Sequence, residues 1–161
     1  GVQTCALPIF NLVFFNGAKS KIAIFGKKDF QQLFIIRDMV KQLNLPIEIV
    51  AGDTKREADG LAMSSRNCYL TAAQRLEAPR LYRALGLLVD AIKQGRTDFS
   101  ALETQTSQFL TQLGWIVDYI SIRSAASMLP AGSNDQKLIV LGAARQGDTR
   151  LIDNIEFTLK T

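Results

Sequence analysis

The sequence contains no histidine among its 161 residues. This absence excludes the Ser-His-Asp triad, the Cys-His dyad, histidine-based zinc sites and every histidine general base. Only two cysteines are present, Cys5 and Cys68, too few for a disulfide framework, and the start does not resemble a secretory signal. We therefore expect a cytoplasmic protein whose chemistry uses Lys, Arg, Ser, Asp and backbone amides.

Long apolar runs and a strong charge of one sign are also lacking. The longest apolar runs, such as residues 138–144, fall far short of the roughly 20 residues that a membrane-spanning helix needs. The 19 Lys and Arg residues are scattered among 15 Asp and Glu residues, which gives a net charge of +4. We expect no membrane partner, and this mild basicity suits anionic small ligands as readily as nucleic acid.

Two short apolar runs flank an amphipathic segment in the first third of the chain. Residues 21–25 and 47–50 predict buried strands, and Leu33, Ile36 and Val40 between them recur at helical spacing. Strand, helix and strand in about 30 residues predict a βαβ crossover with parallel pairing. A doubly wound sheet needs further strands, so residues 1–53 are expected to be a remnant of a Rossmann-like domain.

Residues 54–161 predict a second, smaller domain of α+β type, after a polar segment without periodicity at residues 51–67. Residues 116–122 alternate in polarity and residues 138–141 are apolar, which predicts an antiparallel hairpin or meander. The first nine residues of the chain fit no element, and we expect them to be non-native.

The helices of this second domain have recognisable start signals. Thr71 and Gln74 fit a capping box, and Pro79 predicts a break soon after it. Ser100 and Glu103 fit a second capping box, at the start of a further helix.

A glycine- and lysine-containing turn lies where the first predicted strand meets the helix. Gly26, Lys27, Lys28 and Asp29 occupy this edge, where free backbone amides and the helix dipole attract phosphate. The spacing is not that of a Walker loop, and a solvated turn is the alternative. One of the two glutamines that follow, Gln31 or Gln32, is a candidate for binding a polar substrate.

A second candidate lies in the polar segment at residues 51–67, where the second domain begins. Ser64 and Ser65 supply hydroxyl donors, Arg66 supplies a planar fork matched to phosphate oxygens, and Gly60 lets the irregular segment bend. A serine-rich linker is the alternative. Two phosphate-binding candidates in one short chain indicate nucleotide chemistry.

Three long motifs resemble the pantothenate synthetase family, the pantoate–β-alanine ligases. They are Phe25-Gly-Lys-Lys-Asp-Phe-Gln-Gln-Leu33, Asn44-Leu-Pro-Ile-Glu-Ile-Val50 and Arg56-Glu-Ala-Asp-Gly-Leu-Ala-Met-Ser-Ser-Arg-Asn-Cys-Tyr-Leu70. The resemblance continues to the end of the chain, and residues 10–161 are expected to share it. It implies an α/β fold, in which part of a nucleotidyltransferase-type Rossmann domain precedes a C-terminal α+β lid.

The resemblance also implies the reaction and its ligands. Enzymes of this family use ATP and Mg²⁺ to adenylate pantoate, release pyrophosphate, and let β-alanine displace AMP. A homodimer is implied for the full-length family. Neither nucleic acid nor a membrane is an implied partner.

The family motifs carry over onto residues of this chain. The ATP-binding positions correspond to Gly26, Lys27, Lys28, Asp29, Met63, Ser64, Ser65 and Arg66. The catalytic positions among them are Lys28, Ser64, Ser65 and Arg66, and Gln32 is the pantoate-binding position. No metal-ligating residue is implied.

The chain also departs from the family pattern. The family's histidine motif that binds ATP is missing, and so is a further glutamine that contacts both substrates. We therefore expect the isolated chain to be inactive. The alternatives are a small basic nucleotide- or nucleic-acid-binding module without catalysis, and a folded remnant without function. The first is disfavoured because the cations are not interleaved with aromatic residues.

Overall fold

A computed structural model describes residues 21–132 and 134–159. The chain divides into two compact units, Gly1–Thr54 and Lys55–Thr161. The first nine residues, for which the sequence predicts a non-native origin, lie outside the described residues.

The described part of the first unit is a strand, a helix and a strand, as the sequence predicts. The expectation that both strands are buried is wrong, because no residue of either strand is buried and, among the described residues, the helix between them packs against one face of the sheet only. Strand β1 (Ile22–Gly26) pairs in parallel with strand β2 (Glu48–Gly52), with Ile22 opposite Glu48 and Gly26 opposite Gly52. Between them, a single 3-10 turn at Lys27–Asp29 leads into helix α1 (Phe30–Gln42). Because the pairing is parallel and in register, both strands end at the same edge of the sheet, beside the start of α1.

Helix α1 buries a single face. Its buried residues are Phe30, Leu33 and Ile36, which recur every three positions and therefore form one stripe. The helix ends at Leu43, its C-cap, and Asn44 follows with a positive φ of 48°. Asparagine tolerates this left-handed conformation better than most residues, which explains the predicted helix stop.

Three helices open the second unit: α2 (Ala72–Glu77), α3 (Arg80–Lys93) and α4 (Phe99–Gln112). The capping box predicted before α2 is confirmed, because Thr71 Oγ1 accepts from the N–H of Gln74 and the Gln74 side chain accepts from the N–H of Thr71. The predicted break is also confirmed, since Pro79 is the N-cap of α3.

The second predicted capping box is wrong. The N-cap of α4 is Asp98, so Ser100 lies inside the helix. Glu103 Oε1 accepts a hydrogen bond from the N–H of Ile122 at 2.6 Å, on an edge strand of the sheet. The carboxylate thus satisfies a strand donor that would otherwise lack a partner in the sheet.

An antiparallel meander completes the second unit, which confirms the sequence prediction. Its strands are β3 (Ile116–Ser124), β4 (Lys137–Gln146) and β5 (Thr149–Thr158), in the order β3-β4-β5. The fold is therefore α/β, with a small parallel sheet followed by helices and an antiparallel sheet.

Helix α3 packs its apolar stripe onto this meander. Leu81, Leu85 and Leu88 are at most 2% exposed. A Cβ added at Gly142 of β4 would come within 3.0 Å of Leu85 Cδ2, so glycine permits the close approach of the helix. Gly142 lies opposite Asp153 of β5. The core therefore fixes the strand that carries Asp153.

Among residues 21–132 and 134–159, the helices are all too short or too polar to cross a membrane.

Candidate functional site

The Gly-Lys-Lys-Asp turn, residues 26–29, joins the end of β1 to the start of α1. Gly26 has an extended backbone, with φ −73° and ψ 136°, and a Cβ built on it would meet no atom of the described residues within 4 Å. Asp29 is the N-cap of α1 and makes no side-chain cap hydrogen bond. Because the first N–H groups of a helix lack intrahelical partners and attract phosphate, the turn offers an anion open space and backbone donors.

The charges at this turn are nearly balanced. Lys27 Nζ lies 2.6 Å from Oδ1 of Asp53, which follows β2 directly, and both side chains are exposed. An exposed ion pair contributes at most about 1 kcal/mol to stability. Lys27 can therefore leave Asp53 and bind a polyanion with little loss of free energy. Lys28 is half-buried and Asp29 is exposed. Two lysines face two aspartates here, so phosphate attraction depends on the backbone donors more than on net charge.

The two candidate glutamines differ in burial. Gln31 is exposed and Gln32 is half-buried on the first turn of α1. Residues three apart on a helix are neighbours, so Gln32 lies on the same side of the chain as Asp29. The first unit thus brings together the Gly-Lys-Lys-Asp turn and Gln32.

Residues 55–63 form a short antiparallel turn in the second unit, which we name the hairpin segment. The N–H of Met63 donates to the carbonyl of Lys55 at 2.9 Å, and Arg56 and Ala62 form an antiparallel bridge. Gly60 at its tip has a φ of +96°, a conformation that L side chains rarely adopt. The hairpin segment leads directly into the second candidate.

The Met-Ser-Ser-Arg segment, residues 63–66, is more ordered than the sequence predicts. An irregular segment is expected there, whereas the structure has a 3-10 helix at Ser65–Tyr69 with Ser64 as its N-cap. Ser64 Oγ accepts from the N–H of Arg66 at 3.3 Å. The Asn67 side chain donates to the carbonyl of Ala62 at 3.1 Å, which ties the 3-10 helix to the hairpin segment. Five residues are too few to give a helical period, so the pattern carries no signal of this turn.

Arg66 is presented to solvent from this segment. Its side chain is exposed and has no hydrogen-bond or ion-pair partner among the residues that the structure describes. Met63, which directly precedes Ser64, is 55% exposed. An exposed guanidinium and a large apolar side chain therefore lie next to the Ser64 cap, an arrangement that suits an anionic ligand with an apolar ring.

Arg56 holds the hairpin segment to the body of the second unit, and the sequence analysis did not identify it. Its guanidinium donates to Asp153 through Nη1 at 2.7 Å and Nη2 at 2.8 Å, and Nη1 also donates to the carbonyl of Gly60 at 3.0 Å. The guanidinium stacks 3.6 Å from the ring centroid of Tyr82 on α3. Partial burial acts to lower the pKa of Arg56, but the hydrogen bond and charge of Asp153 outweigh it and raise that pKa above its ordinary value.

A second ion pair holds the tip of the hairpin segment. Asp59 Oδ2 lies 2.5 Å from Nη1 of Arg75 on α2, and Oδ1 of Asp59 accepts a hydrogen bond from the N–H of Leu61. The hydrogen bond from Arg75, followed by that from the Leu61 backbone, lowers the pKa of Asp59 below its ordinary value of 3.8. Both sides of the hairpin segment are therefore anchored.

The candidate residues fall into the two separate units. The Gly-Lys-Lys-Asp turn and Gln32 lie in the first, and the Met-Ser-Ser-Arg segment lies in the second. The described part of the chain brings together no group of three or more Cys, Asp or Glu residues that could hold a metal ion.

Residues 2–156 match the family model of pantoate-beta-alanine ligase. The chain belongs to this family. It is 62% identical over 159 residues to the pantothenate synthetase of Methylobacillus flagellatus, covering 99% of this chain and 55% of that protein. It is 52% identical to the pantothenate synthetase of Thiobacillus denitrificans, covering 98% of this chain and 54% of that protein.

Solved structures of the family share the fold. Pantothenate synthetase from Thermus thermophilus superposes with a TM-score of 0.84 at 35% identity, covering 92% of this chain and 54% of that one. The ligase from Francisella tularensis, solved in complex with beta-gamma ATP and beta-alanine, gives a TM-score of 0.69 at 26% identity and covers 92% of this chain and 48% of that one.

The extent of the match differs from the sequence prediction in one respect. The family match begins at residue 2, and the Methylobacillus relative aligns with 159 of the 161 residues. The expectation that residues 1–9 stand outside the resemblance is therefore wrong. The chain spans about half the length of the curated relatives it matches.

Proposed function

We propose that this chain supplies part of the active site of a pantoate–β-alanine ligase that uses ATP. In this reaction the pantoate carboxylate attacks the α-phosphorus of ATP, and pyrophosphate leaves. The amine of β-alanine then attacks the carbonyl of the pantoyl adenylate, and AMP leaves. The first step needs no general base because the attacking carboxylate is already ionised.

The observation that carries the proposal is the exposed guanidinium of Arg66 on an ordered turn. It has no partner in the described part of the chain, and it follows the Ser64 cap in a chain of this family. An exposed cation on an ordered turn can contact phosphate without first breaking another ion pair, and a cation there stabilises the charge that gathers on a leaving pyrophosphate. We assign this role to Arg66, with Ser64 and Ser65 donating to the same phosphates.

We assign the remaining contacts by the same reasoning. The backbone amides of the Gly-Lys-Lys-Asp turn and Lys28 bind phosphate oxygens, with Gly26 leaving room for the ligand. Gln32 hydrogen-bonds pantoate, and Met63 contacts the nucleotide. Magnesium ion enters as part of the ATP substrate, and no residue of this chain is assigned to it.

We further propose that the 161-residue chain does not complete the reaction by itself. The first unit exposes large apolar side chains on its parallel sheet, with Ile22 53%, Ile24 73% and Val50 36% exposed. Contiguous exposed apolar surface marks a place where further chain packs, and the relatives contain about twice this length. A cytoplasmic location and a homodimer are proposed for the complete enzyme on the family resemblance.

Binding of ATP and Mg²⁺ to the chain, measured by isothermal titration calorimetry, tests the role of Arg66. Arg66→Ala is expected to weaken binding about tenfold or more, since a hydrogen bond to a charged group contributes about 1.5–3 kcal/mol. Arg83→Ala removes an equally exposed charge from α3 and is the matched control, with unchanged affinity.

Equal affinities of the two variants would contradict the assignment of Arg66. Binding of an oligonucleotide that is tighter than that of ATP and falls steeply with salt would instead favour the nucleic-acid-binding alternative.

A further inference from the structure

Among the described residues, the Arg56–Asp153 pair is the most buried arginine–carboxylate pair of the second unit and the one most widely separated along the chain. Arg150 and Asp118 are 32 positions apart, and their side chains are more exposed, at 35% and 27%. Arg80 pairs with Glu77 and Arg96 with Asp98, close along the chain and well exposed. Arg56 and Asp153 are 97 positions apart, and their side chains are 20% and 5% exposed. This pair therefore joins two parts of the chain that are distant in sequence, at a position that is largely shielded from solvent.

The guanidinium of Arg56 makes three hydrogen bonds and one stacking contact. It makes two parallel hydrogen bonds to the Asp153 carboxylate, a third to the Gly60 carbonyl, and a stacking contact with Tyr82. A lysine ammonium cannot reproduce this planar fork. A buried ion pair is a weak source of net stability because desolvation offsets its attraction. The arrangement is therefore better suited to fixing a geometry than to adding stability.

A continuous set of contacts leads from Arg56 to the Met-Ser-Ser-Arg segment. Arg56 is bridged to Ala62 across the hairpin segment, and Ala62 directly precedes Met63. The carbonyl of Ala62 accepts from the side chain of Asn67, inside the 3-10 helix that carries Arg66. This 3-10 helix also packs next to β5, the strand of Asp153. Arg56 thus pairs with the residue that directly precedes the Met-Ser-Ser-Arg segment, and not with the exposed side chains of the segment.

We propose that Arg56, through Asp153, is a positioning residue that holds the Met-Ser-Ser-Arg segment in the geometry that receives the triphosphate. The inference rests on the proposed function for the claim that this segment binds the triphosphate. The claim that Arg56 holds the segment in place does not depend on the proposed function. Arg56 is not a catalytic residue in this account, because it acts through the hairpin segment and contacts no reacting group.

Hydrogen exchange of the full chain, read at the amides of Ser65–Tyr69 and at the core strands, tests the proposal. Arg56→Lys and Asp153→Asn are expected to speed exchange at Ser65–Tyr69 by about tenfold or more, while the strands β3 and β4 change far less. Arg96→Lys is the matched control, since it removes a two-point hydrogen bond between a guanidinium and a carboxylate, that of Arg96 to Asp98, elsewhere in the second unit. Tyr82→Leu removes the stacking ring but keeps the ion pair, and is expected to give a smaller increase at the same amides.

Two results would overturn the proposal. One is exchange at Ser65–Tyr69 that is unchanged in both variants. The other is exchange that rises equally throughout the second unit, or complete unfolding of both variants, which would give Arg56 a general structural role. The affinity for ATP and Mg²⁺, measured on these variants and on Arg66→Ala, separates this inference from the proposed function. Local loosening without any effect of Arg66→Ala on ATP affinity would support the positioning role and contradict the ATP-binding role of the segment.

Discussion

Gly60→Ala is expected to destabilise the second unit more than its backbone conformation alone explains. Gly60 has a φ of +96°, and a Cβ there would lie 3.2 Å from Cδ1 of Tyr82. The Tyr82 ring must then move by a few tenths of an ångström, and it is the ring on which Arg56 stacks. The substitution thus combines backbone strain with pressure on the contact that anchors the hairpin segment.

The magnitude follows from adding these effects. A left-handed backbone costs an L residue about 1–2 kcal/mol. Forcing an extra methyl group against a packed ring adds about 1–2 kcal/mol, near the lower end of overpacking costs. The free energy of unfolding is therefore expected to fall by about 2–4 kcal/mol, of which about half comes from the contact with Tyr82.

The chain contains a matched control at Gly95. Its φ is +101°, close to that of Gly60, but a Cβ there would meet nothing within 4 Å. Gly95→Ala should therefore cost only the strain, about 1–2 kcal/mol. Urea unfolding of the two variants measures the difference. Equal costs, or an excess cost of Gly60→Ala that persists in a Tyr82→Ala background, would refute the reasoning.

Three further predictions concern stability and are tested by urea or acid unfolding. Thr71→Ala removes a capping box and should cost about 1 kcal/mol, whereas Ser100→Ala, which removes no cap, should change stability by less than about 0.5 kcal/mol; equal costs would contradict the corrected cap assignment. The hydrogen bond from Arg75 lowers the pKa of Asp59. The stability that ionised Asp59 contributes is therefore present above the ordinary pKa of 3.8 and is lost as the pH falls through the lowered pKa. Asp59→Asn should flatten the pH dependence below pH 3.8, and an unchanged acid transition would argue against the pair. Gly142→Ala should cost about 1–3 kcal/mol by overpacking, and a stabilised variant would contradict the close approach of α3 to β4.

Much of the fold could be predicted because its signals are local. Apolar runs at residues 21–25 and 47–50 predict the strands, and the spacing of Leu33 and Ile36 predicts the buried face of α1. Thr71 and Gln74 form their capping box within one turn, so four residues of sequence contain all the information.

The same local pattern fails at Ser100 and Glu103. A serine followed three positions later by a glutamate is compatible with a cap, but Asp98 begins the helix two residues earlier. Glu103 instead accepts from Ile122, 19 positions away. A tertiary contact of this kind leaves no trace in the local pattern, so the sequence could not distinguish the two outcomes.

The candidate site divides in the same way. Residues 26–29 and 63–66 could be proposed as phosphate-binding segments from residue types alone, because glycine, lysine, serine and arginine are residues that commonly contact phosphate. Arg56 could not be identified as an anchor, because Asp153 is 97 positions away and pairs with it only after the meander has formed. Arg56 belongs to one of the motifs that resemble the family, but the motif does not indicate that Asp153 is its partner.

Formation of pantothenate by a mixture of two polypeptides tests the central claim most directly. The 161-residue chain is combined with the part of the Methylobacillus flagellatus pantothenate synthetase that it does not match, together with ATP, Mg²⁺, pantoate and β-alanine. We predict that neither polypeptide releases AMP alone, that the mixture forms pantothenate and AMP in equal amounts, and that Arg66→Ala abolishes this activity while Arg83→Ala does not. AMP release by the chain alone at the rate of the mixture, or an associated mixture that remains inactive, would contradict the account.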